Sequence, residues 1–319
     1  MTTAFVLTGG GSLGAVQVGM LQALVDRDVQ PDLLVGTSVG ALNAAFVAGR
    51  GFSAETVAEL EAVWRSVRRV DVFPFQQLRH LRSRQGAALC SPVGLRRLLI
   101  AELRMARLEE ARVPVHVTAT NVLSGEEVLI SEGDAVSAVL ASAAIPAVFP
   151  PVEIDGTLLY DGGLADNAPI SKAVALGATR VVVLPTGYAC ALSEPPQSVL
   201  AHALHALTLL IERRLILDVA HYADEVEVAV LPPLCPLTVG PGDFRHTGEL
   251  IERARHATGR WLDEGGTTLP RPERFLSLHG HPDRSPPRPQ PDEAPPKARP
   301  PLSASLDGRR ATCKNSGYR

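Results

Sequence analysis

The residues best able to do chemistry stand in two glycine-framed segments near the start of the chain. Gly36-Thr37-Ser38-Val39-Gly40 is a GxSxG pentapeptide between the apolar run Asp32 to Val35 and the apolar stretch Val39 to Ala48. A strand before and a helix after are the context in which that pattern makes a nucleophile elbow. Gly36 and Gly40 remove Cβ atoms that would collide in the sharp turn. The turn lifts the Ser38 hydroxyl above a sheet edge, at a helix N-terminus whose partial positive charge favours developing negative charge. Ser38 is the candidate nucleophile.

Upstream, Gly9-Gly10-Gly11-Ser12-Leu13-Gly14 follows the strand-like Ala4 to Thr8 and opens a helix-like run. Backbone amides there can point outward and hold an anion. Two anions suit the loop. One is the diphosphate of a dinucleotide, since Gly9, Gly11 and Gly14 satisfy GxGxxG; the other is the oxyanion of an acyl-transfer intermediate. A dinucleotide site carries an acidic residue about twenty positions onward, at the end of the second strand. Here that strand ends in Val35-Gly36-Thr37-Ser38, and Asp32 stands at its other end. A dinucleotide-binding oxidoreductase is therefore the weaker alternative.

A serine hydroxyl needs a base. None of the nine histidines follows a late strand on a loop as in a Ser-His-Asp hydrolase. Asp161, in Tyr160-Asp161-Gly162-Gly163, offers a carboxylate where the backbone can bend closely around a site. Its ordinary pKa makes it a weak base in water, and desolvation would improve the match. Read without further context, Asp-Gly is also a common turn in which the aspartate bonds its own backbone.

Taken together, these segments resemble the patatin-like phospholipases, lipid acyl hydrolases that use a Ser-Asp dyad. The Gly9-Gly10-Gly11 run with Gly14 is similar to the family's oxyanion loop, Gly36 to Gly40 to its elbow, and Asp161-Gly162-Gly163 to its DGG motif. Ala141-Ser142-Ala143-Ala144-Ile145-Pro146 and Phe149-Pro150-Pro151 resemble the intervening A-S-x-A-I-P and F-P-P segments. The resemblance implies that Ser38 attacks an ester carbonyl, Asp161 acts as general base, and amides of Gly9, Gly10, Gly11, Ser12 and Gly14 form the oxyanion hole. It implies a three-layer α/β fold, a mostly parallel central sheet flanked by helices. Phospholipids or other acyl esters are the implied substrates, and no cofactor or metal is expected. Two positions depart from the family. Leu13 replaces a frequent Arg or Lys, and Asp166-Asn167 replaces a frequent pair of asparagines; Asp166 reads either as a helix N-cap before Pro169 or as a like charge that perturbs Asp161. A non-catalytic lipid- or partner-binding member of the same fold is the other alternative, since folds outlive their chemistry.

The elements that would position these residues follow from patterning. Short β-branched runs alternate with longer amphipathic stretches, as in strands joined by helical crossovers. Helices are expected over Ala15 to Val25, Ser53 to Val67, Ser91-Pro92 towards Arg107, Ala135 to Ala144, from Pro169, Ser198 to Val219 and Phe244 to Leu262. Further strands are expected over Val113 to Val122, Glu127 to Ile130, Arg180 to Leu184 and Glu225 to Leu231. An apolar approach to the serine is expected from Val39, Ala41, Leu42, Ile145, Val148 and Phe149. The arginine-rich segment 65–89 reads either as an interfacial lid or as a solvated helix pair.

The chain has 319 residues, 45% hydrophobic and 4% aromatic, which suits one domain of roughly 250 residues with an addition. The addition is 265–319: eleven prolines fall between Pro270 and Pro301, and the segment has ten Lys/Arg against five Asp/Glu. Such a stretch cannot bury enough surface to offset its ordering entropy, so a catalytic domain 1–264 and a disordered tail are expected. The net charge of −3 argues against a nucleic-acid partner. Cys90, Cys190, Cys235 and Cys313 form no CxxC or metal spacing and read as thiols in a reducing compartment. The N-terminus lacks the basic and long apolar regions of a secretory signal. The expected location is the cytoplasm, with peripheral contact at the inner membrane face.

Overall fold

The computed structural model describes residues 1–74, 88–187, 190, 195–268, 272 and 276. Eight strands form one sheet: β1 (Thr3–Leu7), β2 (Leu33–Thr37), β3 (Val115–Asn121), β4 (Glu127–Ile130), β5 (Val152–Ile154), β6 (Thr157–Asp161), β7 (Arg180–Leu184) and β8 (Glu227–Val230). Parallel pairs join β3 to β2, β2 to β1, β1 to β7 and β7 to β8, while β4, β5 and β6 pair antiparallel. The helices are α1 (Gly14–Val25), α2 (Val39–Arg50), α3 (Ala54–Ser66), α4 (Arg69–Val72), α5 (Val93–Glu102), α6 (Ala135–Ser142), α7 (Ile170–Ala175), α8 (Val199–Tyr222) and α9 (Thr247–Asp263).

The two-residue period of β1 divides the core. Phe5 and Leu7 face one helical layer, with residues of α1, α2 and α9. Ala4 and Val6 face the other, with Ile170 and Ala173 of α7 and Leu215 and Val219 of α8. Both faces are covered, which is why the central strands read as continuous apolar runs. Helix α1 is apolar nearly all round because it lies buried between the sheet and α9. The architecture is α/β, a central sheet flanked by helices, as the sequence led us to expect.

Two details differ. The hairpin β5–β6 was not foreseen, although Asp155-Gly156 turns it with φ of 48° and 75°, both positive as a two-residue hairpin turn requires. Helix α5 ends at Glu102, short of Arg107: Arg50 Nη1 donates to the Glu102 carbonyl at 2.7 Å, and Arg107 instead bridges Asp134.

Candidate active site

The elbow forms where β2 gives way to α2. Ser38 adopts φ 54° and ψ −121°, a sparsely populated region that costs on the order of 1–3 kcal/mol and persists only where packing enforces it. The enforcement is a close approach: a Cβ on Gly40 would run into the Leu7 carbonyl and fall 2.7 Å from that of Thr8. Gly40→Ala is accordingly expected to lower the unfolding free energy by about 3 kcal/mol, as overpacking does; a urea midpoint within error of the wild type would contradict this. Ser38 N–H donates to Ser142 Oγ at 2.7 Å, tying the elbow to the end of α6.

Pairing along β3 brings the second residue in. Strand β2 runs beside Val115 to Thr118, and β6 beside Ala119 to Asn121. Strand β4 spans Val117 to Thr120 and overlaps both, so it takes the opposite edge. The C-terminal ends of β2 and β6 therefore meet head to head at Thr118 and Ala119. There Ser38 Oγ donates to Asp161 Oδ2 at 2.7 Å, although 123 positions separate the two residues. Asp161 Oδ1 accepts Gly163 N–H at 2.8 Å. Burial pushes the Asp161 carboxyl up to about 6, opposed by hydrogen bonds from Ser38 and Gly163. A carboxylate so poised can take a hydroxyl proton near neutrality. No histidine bonds to Ser38 among the described residues; His116, in β3, contacts Ser131.

The glycine loop reaches the same place from the end of β1. Of the five amides enlisted from the sequence, three are committed within the protein. Gly9 N–H donates to Asn167 Oδ1 at 3.0 Å, Ser12 N–H to the Pro241 carbonyl at 2.9 Å, and Gly14 N–H to carbonyls of Gly11 and Ser12. The expectation that Gly9, Ser12 and Gly14 supply open donors is thus corrected. Among the described residues, Gly10 and Gly11 are left with N–H groups that meet no protein acceptor. Thr186 Oγ1 holds the Gly9 carbonyl at 2.7 Å, and because the peptide is planar and trans this points the Gly10 N–H the opposite way.

Beneath the loop lies a buried amide relay that the sequence reading missed. Gln17 Nε2 donates to the carbonyls of Thr8 and Leu184 at 2.8 and 2.9 Å. Asn43 Nδ2 donates to Gln17 Oε1 at 2.9 Å, and Trp64 Nε1 to Asn43 Oδ1 at 2.9 Å. The available signal was Gln17 and Asn43, amides set among apolar neighbours in two largely apolar helices, since buried polar groups demand partners.

Asp166 is neither of the things proposed for it. The residue preceding α7 is Pro169, with no side-chain cap, and Asp166 Oδ1 instead accepts Ala168 N–H at 2.9 Å in a local turn. Burial, then the nearby Glu127, pushes its carboxyl up to about 7. Repulsion by Asp166 is not among the causes of the Asp161 shift. Asp32 holds the Thr3 amide at 2.7 Å, at the end of the sheet where β1 begins, and so is committed away from the glycine loop.

A cavity of about 630 Å³, including its open mouth, adjoins Ser38. Apart from Gly11 and Ser38 its lining is hydrophobic. Val39, Leu42, Ile145 and Phe149 contribute as expected, whereas Ala41 and Val148 are core residues that do not line it. The aromatic wall was not foreseen: Trp64 stacks on Phe244 at 6.2 Å and Phe73 on Phe149 at 5.4 Å. Val72 and Phe73 bring part of the 65–89 segment to the cavity, and its residues 75–87 lie outside the described residues. Cys190 Sγ and Cys235 Sγ, remote in sequence, lie 3.9 Å apart.

Lysophospholipase NTE1 of Mycosarcoma maydis is 24% identical over 194 residues, 59% of this chain and 10% of that protein. Patatin-like phospholipase domain-containing protein 7 of Mus musculus is 27% identical over 187 residues, 58% of this chain and 13% of that protein. The chain thus matches only a small part of the length of these relatives. Among solved structures, VipD from Legionella pneumophila aligns over 82% of this chain and 67% of its own, with 14% identity and a TM-score of 0.43. The family model for patatin-like phospholipase matches residues 5–174, more than half of the chain, and the protein belongs to that family.

Proposed function

We propose that the protein is a serine lipid acyl hydrolase, a carboxylic ester hydrolase acting on phospholipids or related acyl esters. The observation that carries this reading is the 2.7 Å contact of Ser38 Oγ with the buried Asp161 carboxylate, Ser38 itself lining an apolar cavity. Asp161 takes the hydroxyl proton as Ser38 Oγ attacks the ester carbonyl. The tetrahedral oxyanion accepts from Gly10 and Gly11 N–H, with the N-terminus of α2 adding positive potential. Collapse expels the alcohol, which takes the proton from Asp161, and leaves an acyl-Ser38. Water then attacks, giving its proton to Asp161; the acyl–Oγ bond breaks, Ser38 Oγ takes that proton back, and the fatty acid leaves.

Leu13 provides no cation, so the hole rests on amides alone. The acyl chain occupies the cavity walled by Trp64, Phe73, Phe149 and Phe244. The enzyme meets its substrate at a lipid surface as a peripheral protein; no helix among the described residues is long and apolar enough to cross a membrane. The diphosphate alternative is disfavoured because Gly9 and Ser12 amides already hold protein acceptors.

Intact-mass measurement after treatment with a fluorophosphonate tests the reading: one adduct, mapped to Ser38, is expected, and folded protein that stays unlabelled would favour the non-catalytic alternative. A panel of phospholipids and neutral esters then defines the substrate. Each methylene buried in the cavity contributes about 0.8 kcal/mol, so kcat/KM should climb about fourfold per methylene along a series of p-nitrophenyl esters until the cavity is full. Leu42→Trp should flatten that climb while leaving the acetate ester within about threefold. An unchanged chain-length profile in the variant would place the acyl chain elsewhere.

A further inference from the structure

The glycine loop and the DGG turn are joined by one side chain for which neither motif accounts. Asn167 is 8% exposed, and its Oδ1 accepts the Gly9 amide at 3.0 Å. The space it fills is the space two glycines vacate. A Cβ on Gly9 would fall 2.6 Å from Asn167 Oδ1 and 3.0 Å from Ser38 Cβ. A Cβ on Gly163 would fall 3.0 Å from the same oxygen and 3.2 Å from Asp161 Oδ1. A single amide oxygen is thereby wedged between the oxyanion loop and the carboxylate turn.

The residues on either side of Asn167 are held. Asp166 N–H donates to the Gly162 carbonyl at 2.9 Å, Ala165 N–H to Thr120 Oγ1 at 3.2 Å, and Ala168 N–H to Asp166 Oδ1 at 2.9 Å. Thr186 holds the carbonyl of Gly9 while Asn167 holds its amide, so the residue before the two open donors is pinned at both ends.

We propose that Asn167 is a positioning residue, which sets the distance between the Gly10 and Gly11 donors and the Ser38–Asp161 pair by clamping the Gly9 amide. This rests on the hydrolase reading, in which those donors receive the oxyanion. Catalysis falls on the order of 10²-fold when reacting groups are displaced by about an ångström, so the clamp acts on kcat more than on KM.

The test compares wild type, Asn167→Ala and Asn167→Asp in the full chain by three readouts. The first is amide hydrogen exchange at Gly9, followed by NMR with 15N-glycine labelling. Losing one hydrogen bond should speed exchange about tenfold in Asn167→Ala, and the retained acceptor in Asn167→Asp should restore protection. The second is kinetics on a p-nitrophenyl ester. Asn167→Ala should lose about 10²-fold in kcat with KM within about threefold. Asn167→Asp should recover most of that loss, with the acid limb of its pH profile moved upward because a second carboxylate disfavours ionisation of Asp161. The third, thermal unfolding, should leave Asn167→Ala within a few degrees of wild type.

Unchanged Gly9 exchange and unchanged kcat in Asn167→Ala would overturn the proposal. So would an Asn167→Asp variant that protects Gly9 yet stays as slow as Asn167→Ala at every pH. Wild-type protein that neither hydrolyses esters nor takes the fluorophosphonate would instead overturn the hydrolase reading, while the exchange measurement would still decide whether the clamp exists.

Discussion

Ser38→Ala and Asp161→Asn are each expected to lower ester hydrolysis by about 10⁴-fold or more while the protein stays folded. The reasoning is local. Ser38 Oγ sits at the elbow, and among the described residues its hydroxyl donates to Asp161 Oδ2. Without the oxygen no acyl-enzyme forms; without the carboxylate the hydroxyl remains a weak nucleophile. Both changes are nearly isosteric and leave the Gly163 N–H and Ser142 contacts available, so loss of activity in protein no less stable than wild type isolates the chemistry. Because the two residues act as a unit, the double variant should be no slower than the slower single variant. Replacing any one histidine should leave activity within about tenfold of wild type, since none bonds to Ser38 among the described residues. A histidine variant as inactive as Ser38→Ala would replace the dyad with a triad.

The second large effect is on pH. With the Asp161 carboxyl at about 6, the base form is lost below that value, and kcat/KM should fall about tenfold for each further pH unit. The same residue should make stability depend on pH in the opposite sense to an ordinary surface carboxylate. Its ordinary value is 3.8, so between 3.8 and about 6 the folded protein keeps a proton that the unfolded chain has released. Stability therefore declines as pH rises through that window, and the decline is complete above about 6. Two pKa units correspond to roughly 3 kcal/mol, which bounds the gain. Asp161→Asn should be more stable than wild type at pH 8 by up to about this amount and lose the advantage at pH 4. Urea unfolding at the two pH values checks both halves; an asparagine variant less stable than wild type at pH 8 would mean that burial does not burden this carboxylate.

Much of the site was legible because it is local. In β1, the glycine loop, β2 and the elbow, a few consecutive residues dictate the backbone: apolar runs make buried strands, and glycine permits the turns between them. Helix starts are local too: Ser53 Oγ accepts from Thr56 N–H and Ser198 Oγ from Ala201 N–H, each at the residue where the expected helix begins. The misses have physical causes too. The β5–β6 hairpin is made of strands of three and five residues, too short to declare a period, and its Asp155-Gly156 turn was the signal to read. Helix α5 stops where a side chain from α2 takes its last carbonyl, which no local propensity records.

What the amino-acid order determined by itself is the chemistry on offer: a serine on a strained turn, a run of amides free of side chains, and a carboxylate framed by glycines. Tertiary structure decided which of these meet. Ser38 and Asp161 meet because β2 and β6 abut along one edge of β3, the open donors are Gly10 and Gly11 because Asn167 and Pro241 claim their neighbours, and the cavity wall gathers aromatics from positions 64, 73, 149 and 244. Each of these is a contact between residues far apart in sequence, and such contacts depend on strand register and helix packing, which a window of adjacent residues does not contain.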